Sequence, residues 1–256
     1  KGCGQTVQKV SSLLASRQGH LKVGYKADLS KYFDSVKIEV VDKTFDEMQE
    51  KYDLQDCPVF RIIRNYYHND YVFDVEGKLI QHYGSLKQGC AVASLLANIV
   101  LRDIDERLSN MNIVYCRYSD DILMIGDEAD KAIEILKEKL VEKGLSLNPK
   151  KVETLYSDKW FTFLGFKLKE SMITLSKKRV KNFQKEIEER TIKQNINVDK
   201  AKANVIRYLY KGTNGDAYTW ARTCLPIVNV QKDLIQLDNF VKDCIRACAT
   251  GKKKIG

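Results

Sequence analysis

Asp120 and Asp121 are adjacent acids set between two apolar runs, Ile113-Val114-Tyr115 and Ile122-Leu123-Met124-Ile125-Gly126. Two short β-rich runs separated by a few polar residues predict a hairpin with both carboxylates at its tip. Adjacent carboxylates repel, and the one cation close by in sequence is Arg117, so the pair calls for bound cations. Mg²⁺ suits such a place because it prefers one or two carboxylates completed by phosphate oxygens and water. Ser119-Asp120-Asp121 is also ordinary turn chemistry, and a solvated turn is the competing reading of these residues alone. A third acid alters that balance. Val23-Gly24-Tyr25-Lys26-Ala27-Asp28 reads as a strand that ends on Asp28, and a strand-end acid upstream of an acidic hairpin provides the donors that a two-metal phosphoryl-transfer site requires.

The elements that must hold these acids follow from periodicity. Thr6 to Ser16 carries Val7, Val10, Leu13 and Leu14 at helical spacing. Helical patterns begin again at Ser30, over Phe45 to Tyr52, and over Pro58 to Tyr67, the last with proline at a helix start. Asp70 to Gln81 predicts a hairpin around Glu76-Gly77, Gly84 to Gly89 a flexible loop, and Ala93 to Leu108 a helix. Ala129, Ala132, Ile133, Leu136 and Leu140 predict an amphipathic helix stopped by Gly144. This alternation predicts an α+β fold, an antiparallel sheet with helices on one face and the other face left open. Further helices are expected over Arg179 to Thr191, Asp199 to Tyr210 and Ile227 to Ala249, with Gly212, Gly215 and Pro226 separating the last two.

A chain of 256 residues with 44% hydrophobic content can bury a substantial core. The formal charge of +9 points to a polyanionic partner, a basic soluble surface being the plainer reading. From Lys167 to Lys193 there are nine basic residues against four acidic ones, so a helical layer could track phosphates there or could simply be a solvated lysine-rich face. The seven cysteines form no CxxC pair and are odd in number, which favours reduced thiols over a disulfide framework or a zinc site. No stretch is long and apolar enough to span a membrane and the amino end has no signal-peptide pattern, so a cytoplasmic protein is expected.

In order along the chain, Asp28-Leu29-Ser30-Lys31-Tyr32-Phe33-Asp34 resembles polymerase motif A, and Gly84-Ser85-Leu86-Lys87-Gln88-Gly89-Cys90 with Ser94-Leu95-Leu96-Ala97-Asn98-Ile99 resembles motif B. Tyr118-Ser119-Asp120-Asp121 is similar to motif C, Gly144 to Lys151 to motif D, and Phe163-Leu164-Gly165-Phe166 to the motif E primer grip. Each match is weak, and their shared order is the strong signal. The sequence thus resembles the reverse transcriptases, in particular the bacterial and group II intron-like lineage of intron, retron, diversity-generating and phage-defence enzymes. The resemblance implies a right-hand polymerase palm with partial fingers over residues 1–168 and an α-helical thumb over 169–256. The family's upstream fingers, with basic residues that grip the incoming triphosphate, are not found before motif A.

The resemblance also implies roles. Asp28, Asp120 and, more loosely, Asp121 would hold two Mg²⁺ ions, Mn²⁺ being possible, with the Leu29 carbonyl as a further ligand. Lys151, or Lys150 in the alternative register, would give a proton to pyrophosphate. Phe33 would block a ribose 2′-hydroxyl or be a core ring, and Gln88 and Gly89 would line the nucleotide. The partners implied are an RNA template, a DNA primer or hybrid duplex, dNTPs and a structured non-coding RNA. Template-independent or protein-primed synthesis, an RNA-dependent RNA polymerase, and a binding scaffold without catalysis are the alternatives; dNTP against NTP incorporation and divalent-metal binding separate them.

Overall fold

A computed structural model describes residues 2–16, 23–54, 56–81, 84–87, 89–211 and 219–252. Helix α1 (Cys3–Ser16) precedes strand β1 (Val23–Asp28), the one-turn helix α2 (Tyr32–Ser35), and helices α3 (Ile38–Tyr52) and α4 (Pro58–His68). A hairpin of β2 (Tyr71–Phe73) and β3 (Leu79–Gln81) leads to α5 (Ala91–Val100) and α6 (Arg102–Ser109), then to β4 (Val114–Tyr118), β5 (Asp121–Ile125) and α7 (Ala129–Glu142). After a 3₁₀ turn at Pro149–Lys151 come β6 (Glu153–Tyr156), β7 (Phe161–Phe163), β8 (Phe166–Lys169) and β9 (Met172–Leu175). Helices α8 (Lys177–Arg190), α9 (Val198–Ile206), α10 (Trp220–Thr223) and α11 (Gln231–Thr250) follow.

These elements form two compact units, Val23–Leu155, and Lys1–Lys22 with Tyr156–Gly256. Strands β7 to β9 straddle the division expected at residues 168 and 169 and lie wholly in the second unit.

In the first unit a four-stranded sheet runs in the order β4-β5-β1-β6, with β5 antiparallel to both β4 and β1. Side chains alternate across a strand, so Ile122 and Met124 of β5 face a core built with Val36, Phe45, Leu96 and Leu136. Phe45 and Phe60 stack there with ring centroids 4.1 Å apart, tying α3 to α4. Each such side chain contributes roughly 1.5–3 kcal/mol by leaving water. The other face is less open than the sequence suggests. Leu123 and Ile125 lie on it and are 0% exposed, while Lys26 and the hairpin end around Cys116, Tyr118 and Asp121 are partly accessible.

Several helices differ from expectation, two of them most. Helix α3 begins at Ile38 rather than Phe45, because Ile38 and Val41 are buried in the same core. The single helix expected over Ala93 to Leu108 is two, broken at Leu101, whose φ of −97° and ψ of 6° leave the helical region.

In the second unit β8 pairs with both β7 and β9. Asn229 covers the outer edge of β9: its backbone N–H donates to the Ile173 carbonyl at 3.0 Å, and its side-chain oxygen accepts from the Ile173 N–H at 2.7 Å. Trp220 packs edge-on against Phe183 at 4.8 Å and donates its indole N–H to the Tyr208 hydroxyl at 2.8 Å. Helix α1 buries Val7, Val10 and Leu14 and approaches so closely that a Cβ on Gly4 would lie 2.1 Å from Ile227 Cδ1.

Candidate active site

Strand pairing brings the three acids together. Asp28 at the end of β1 is the register partner of Asp121 at the start of β5, and Asp121 is also opposite Tyr118 of β4. Directly opposed residues of an antiparallel pair project to the same face with Cβ atoms roughly 5 Å apart. The β4–β5 loop is only Ser119-Asp120, and Ser119 sits at φ 57°, the left-handed region that costs a residue with a Cβ about 1 kcal/mol. The Asp120 carbonyl accepts from the Leu29 N–H at 3.2 Å, so the turn is sewn to the end of β1.

The other side of Leu29 faces the chain before the 3₁₀ turn. Leu29 bridges Leu147, with the Asn148 N–H donating to the Asp28 carbonyl at 2.8 Å and the Ser30 N–H to the Ser146 carbonyl at 2.9 Å. In extended backbone the N–H and C=O of one residue point the same way. The Leu29 carbonyl is therefore turned, like its N–H, toward Asp120. Asn148 caps the turn by accepting from the Lys150 N–H at 3.1 Å, and one residue further Lys151 places its Nζ 2.8 Å from Asp28 Oδ2. Lys151, not Lys150, is thus the lysine on the carboxylates. Lys26, two residues before Asp28 on the same face of β1, pairs with Glu153 at 2.8 Å.

The electrostatics are those of acids crowded together. The Asp121 carboxyl is pushed above its ordinary range, first by burial, then by Asp120 and Asp28, with Lys26 and Lys151 opposing. The Lys151 ammonium is pushed up by its hydrogen bond to Asp28. Among the described residues no group of three or more His, Cys, Asp or Glu closes around a single point. The donor set nonetheless suits a hard divalent cation: three carboxylates that repel one another, a carbonyl turned toward them, and an ammonium already standing in as counter-charge on Asp28, which is 12% exposed.

Arg117 does something other than neutralise the acids. Strand alternation puts it beside Ile122 on the core face, where its side chain is 7% exposed. Its guanidinium grips Asp105 of α6 through Nε at 2.8 Å and through Nη2, while Nη1 donates to Asn98 Oδ1 of α5 at 3.0 Å and to the Ser119 carbonyl at 3.1 Å. Tyr115 donates to the same Asp105 at 2.7 Å. The alternation of Tyr115 and Arg117 about Cys116 could have predicted their shared face; nothing local marks Asp105.

Phe33 lies on α2, half-buried against the core and edge-on to Tyr32 at 5.8 Å, and Tyr32 donates its hydroxyl to the Ala97 carbonyl. Gly89 is exposed at φ 83° with open space where a Cβ would stand, so the constraint there is conformational. Gln88 lies outside the described residues. The adjoining Lys87 is tied to Asp70 at 3.1 Å and lies over the Tyr66 ring at 4.9 Å.

An antiparallel sheet that presents acids from its two interior strands and packs helices beneath them is the palm of a right-hand polymerase. Residues 4–168 match the family model described as reverse transcriptase (RNA-dependent DNA polymerase), and the chain belongs to that family, a nucleotidyltransferase family of the polymerase kind. None of the curated proteins matches by sequence. Among solved structures, telomerase from Candida albicans in complex with a TWJ fragment of telomeric RNA is similar at TM-score 0.57 and 14% identity, over 97% of this chain and 43% of that one. Apo telomerase from Candida tropicalis is similar at TM-score 0.52 and 12% identity, over 97% and 44%. The chain thus spans less than half the length of these structures, and the likeness is one of fold.

Proposed function

We propose that the chain is an RNA-directed DNA polymerase that extends a primer 3′-hydroxyl with dNTPs. The observation that carries this reading is the register of Asp28 against Asp121 with Lys151 on Asp28. Asp28 and Asp120, with Asp121 more loosely and the Leu29 carbonyl, are the ligands for two Mg²⁺ ions, Mn²⁺ being the substitute. Bound there, the ions supply activation of the 3′-hydroxyl and neutralisation of the triphosphate. The protein's own groups position and neutralise, as phosphoryl transfer requires. Lys151 holds a proton beside the carboxylates and delivers it to the leaving pyrophosphate. Phe33 bounds the sugar and excludes a 2′-hydroxyl, and Gly89, with Gln88 before it, lies along the nucleotide.

The partners in this reading are an RNA template with a DNA primer or hybrid duplex, and a structured non-coding RNA. The telomerase structures that contain RNA lend support of kind, not of identity. The motif spelling favours the bacterial, group II intron-like lineage, in a retroelement or an antiviral defence system. A cytoplasmic setting is supported by cysteines none of which, among the described residues, is joined in a disulfide, and no described helix is long and apolar enough to cross a membrane. In this reading residues 1–168 supply the partial fingers and palm and residues 169–256 the helical thumb.

Asp120→Asn tests the site. It removes a charge without changing volume, so melting should stay near that of the wild type while dNTP incorporation on a primed RNA falls below about a hundredth, a loss of several kcal/mol of barrier stabilisation. Greater retention sinks the assignment. Offering NTPs beside dNTPs reads the sugar preference in the same assay.

A further inference from the structure

The acidic turn is held from underneath by a partly buried ion pair, Arg117 the more enclosed partner, whose geometry reaches both flanking helices. Arg117 spends its fork on Asp105 and its remaining Nη1 protons on Asn98 and on the carbonyl of Ser119, the one left-handed residue of the turn. A planar guanidinium with five fixed donors can meet three acceptors at once, whereas an ammonium on a flexible stem meets them only loosely. Asp105 is held in turn by Tyr115, and Asn98 belongs to α5, the helix that starts directly after Gly89 and Cys90.

We infer that Arg117 is a positioning residue. By pinning the Ser119 carbonyl to Asp105 and Asn98, it holds the strained two-residue turn in the conformation that sets Asp120 and Asp121 against Asp28. The same contact ties the turn to α5 through Asn98. The inference rests on the reading of Asp28, Asp120 and Asp121 as metal ligands. It concerns their placement and not their chemistry, because Arg117 lies on the opposite face of the sheet from Asp28 and Asp121.

The test uses Mn²⁺ binding followed by electron paramagnetic resonance, which needs no turnover, alongside thermal melting. Arg117→Lys keeps the charge and loses the fork. The double variant Arg117→Met with Asp105→Leu removes the pair together and leaves no unpaired charge in the core, a replacement that folded proteins commonly tolerate. Both should bind Mn²⁺ about 10-fold or more weakly, the range for groups that orient metal ligands, and the half-saturating Mg²⁺ in primer extension should rise in step with the Mn²⁺ constant. Wild-type Mn²⁺ affinity in a folded variant overturns the inference, and so does failure of both variants to fold, which would assign the pair to the core alone. Wild-type protein that binds Mn²⁺ yet incorporates no dNTP would remove the proposed function and leave the positioning role standing.

Discussion

Asp121 carries the cost of the site in its own titration. Its carboxyl is raised by burial and by Asp120 and Asp28. An acid whose pKa is higher folded than unfolded binds the extra proton in the native state, so its contribution to stability is full below the ordinary aspartate range and is lost as pH rises through the folded value. Metal-free protein in EDTA should therefore lose stability across that rise. Asp121→Asn should flatten the dependence and melt higher than wild type at neutral pH in EDTA, while losing polymerase activity. Equal melting of the two proteins at neutral pH would mean that the repulsion is not felt. Phe33 poses a different question. If its ring is the sugar gate, Phe33→Ala should admit ribonucleotides with little change in melting; a loss of about 3 kcal/mol or more in denaturant unfolding with unchanged sugar preference would make it a core ring only.

The elements show how a turn can be specified by a partner remote in sequence. The β7–β8 loop is Leu164-Gly165, with φ 49° and 79°, and a Cβ on Gly165 would lie 2.9 Å from Arg179 Nη2. Arg179 stacks on Phe166 at 4.3 Å and donates to the Leu164 carbonyl at 3.4 Å, so this basic residue of the Lys177-Lys178-Arg179 run is a clamp on the turn and not a surface cation. Gly165→Ala should cost more than about 1 kcal/mol, and Arg179→Ala in the same chain should relieve the steric part while leaving the dihedral part. Strict additivity in that double-mutant cycle would break the clamp. The hairpin of Asp120 and Asp121, the strand ending on Asp28 and the helix stopped by Gly144 were legible because each is written in local periodicity and turn chemistry. The break at Leu101 was not, since no glycine or proline marks it. Nor was the grip of Arg117 on Asp105, because the two are paired by the placement of α6 against β4 and not by spacing. Strand β6 was missed for a similar reason: only Leu155 of its four residues is buried.

At the scale of the whole molecule, charge and chain order decide behaviour. Lys177, Lys178 and Lys181 are exposed, and with a net charge of +9 they should give primer–template binding a strong salt dependence, each phosphate contact adding a slope near −0.9 in log affinity against log salt on duplex DNA. Replacing the three by alanine should flatten that slope and weaken binding equally across template sequences, with Mn²⁺ binding unchanged. A variant that kept the wild-type slope would return these lysines to the solvated face. The order of the units along the chain bears on how the protein is made. The second unit is assembled from both ends of the sequence, α1 lying against β8 and Ile227 with the entire first unit between them. Closing a long unstructured loop is entropically costly, whereas β1 and β6, the first and last strands of the first unit, are sheet neighbours, so once that unit is compact its ends are already gathered. The connection to α1 closes at least cost once the palm sheet has formed, so α1 is expected to dock after β1 has paired, and hydrogen exchange during refolding should protect β1 and β5 before α1; protection of α1 first would reverse that order.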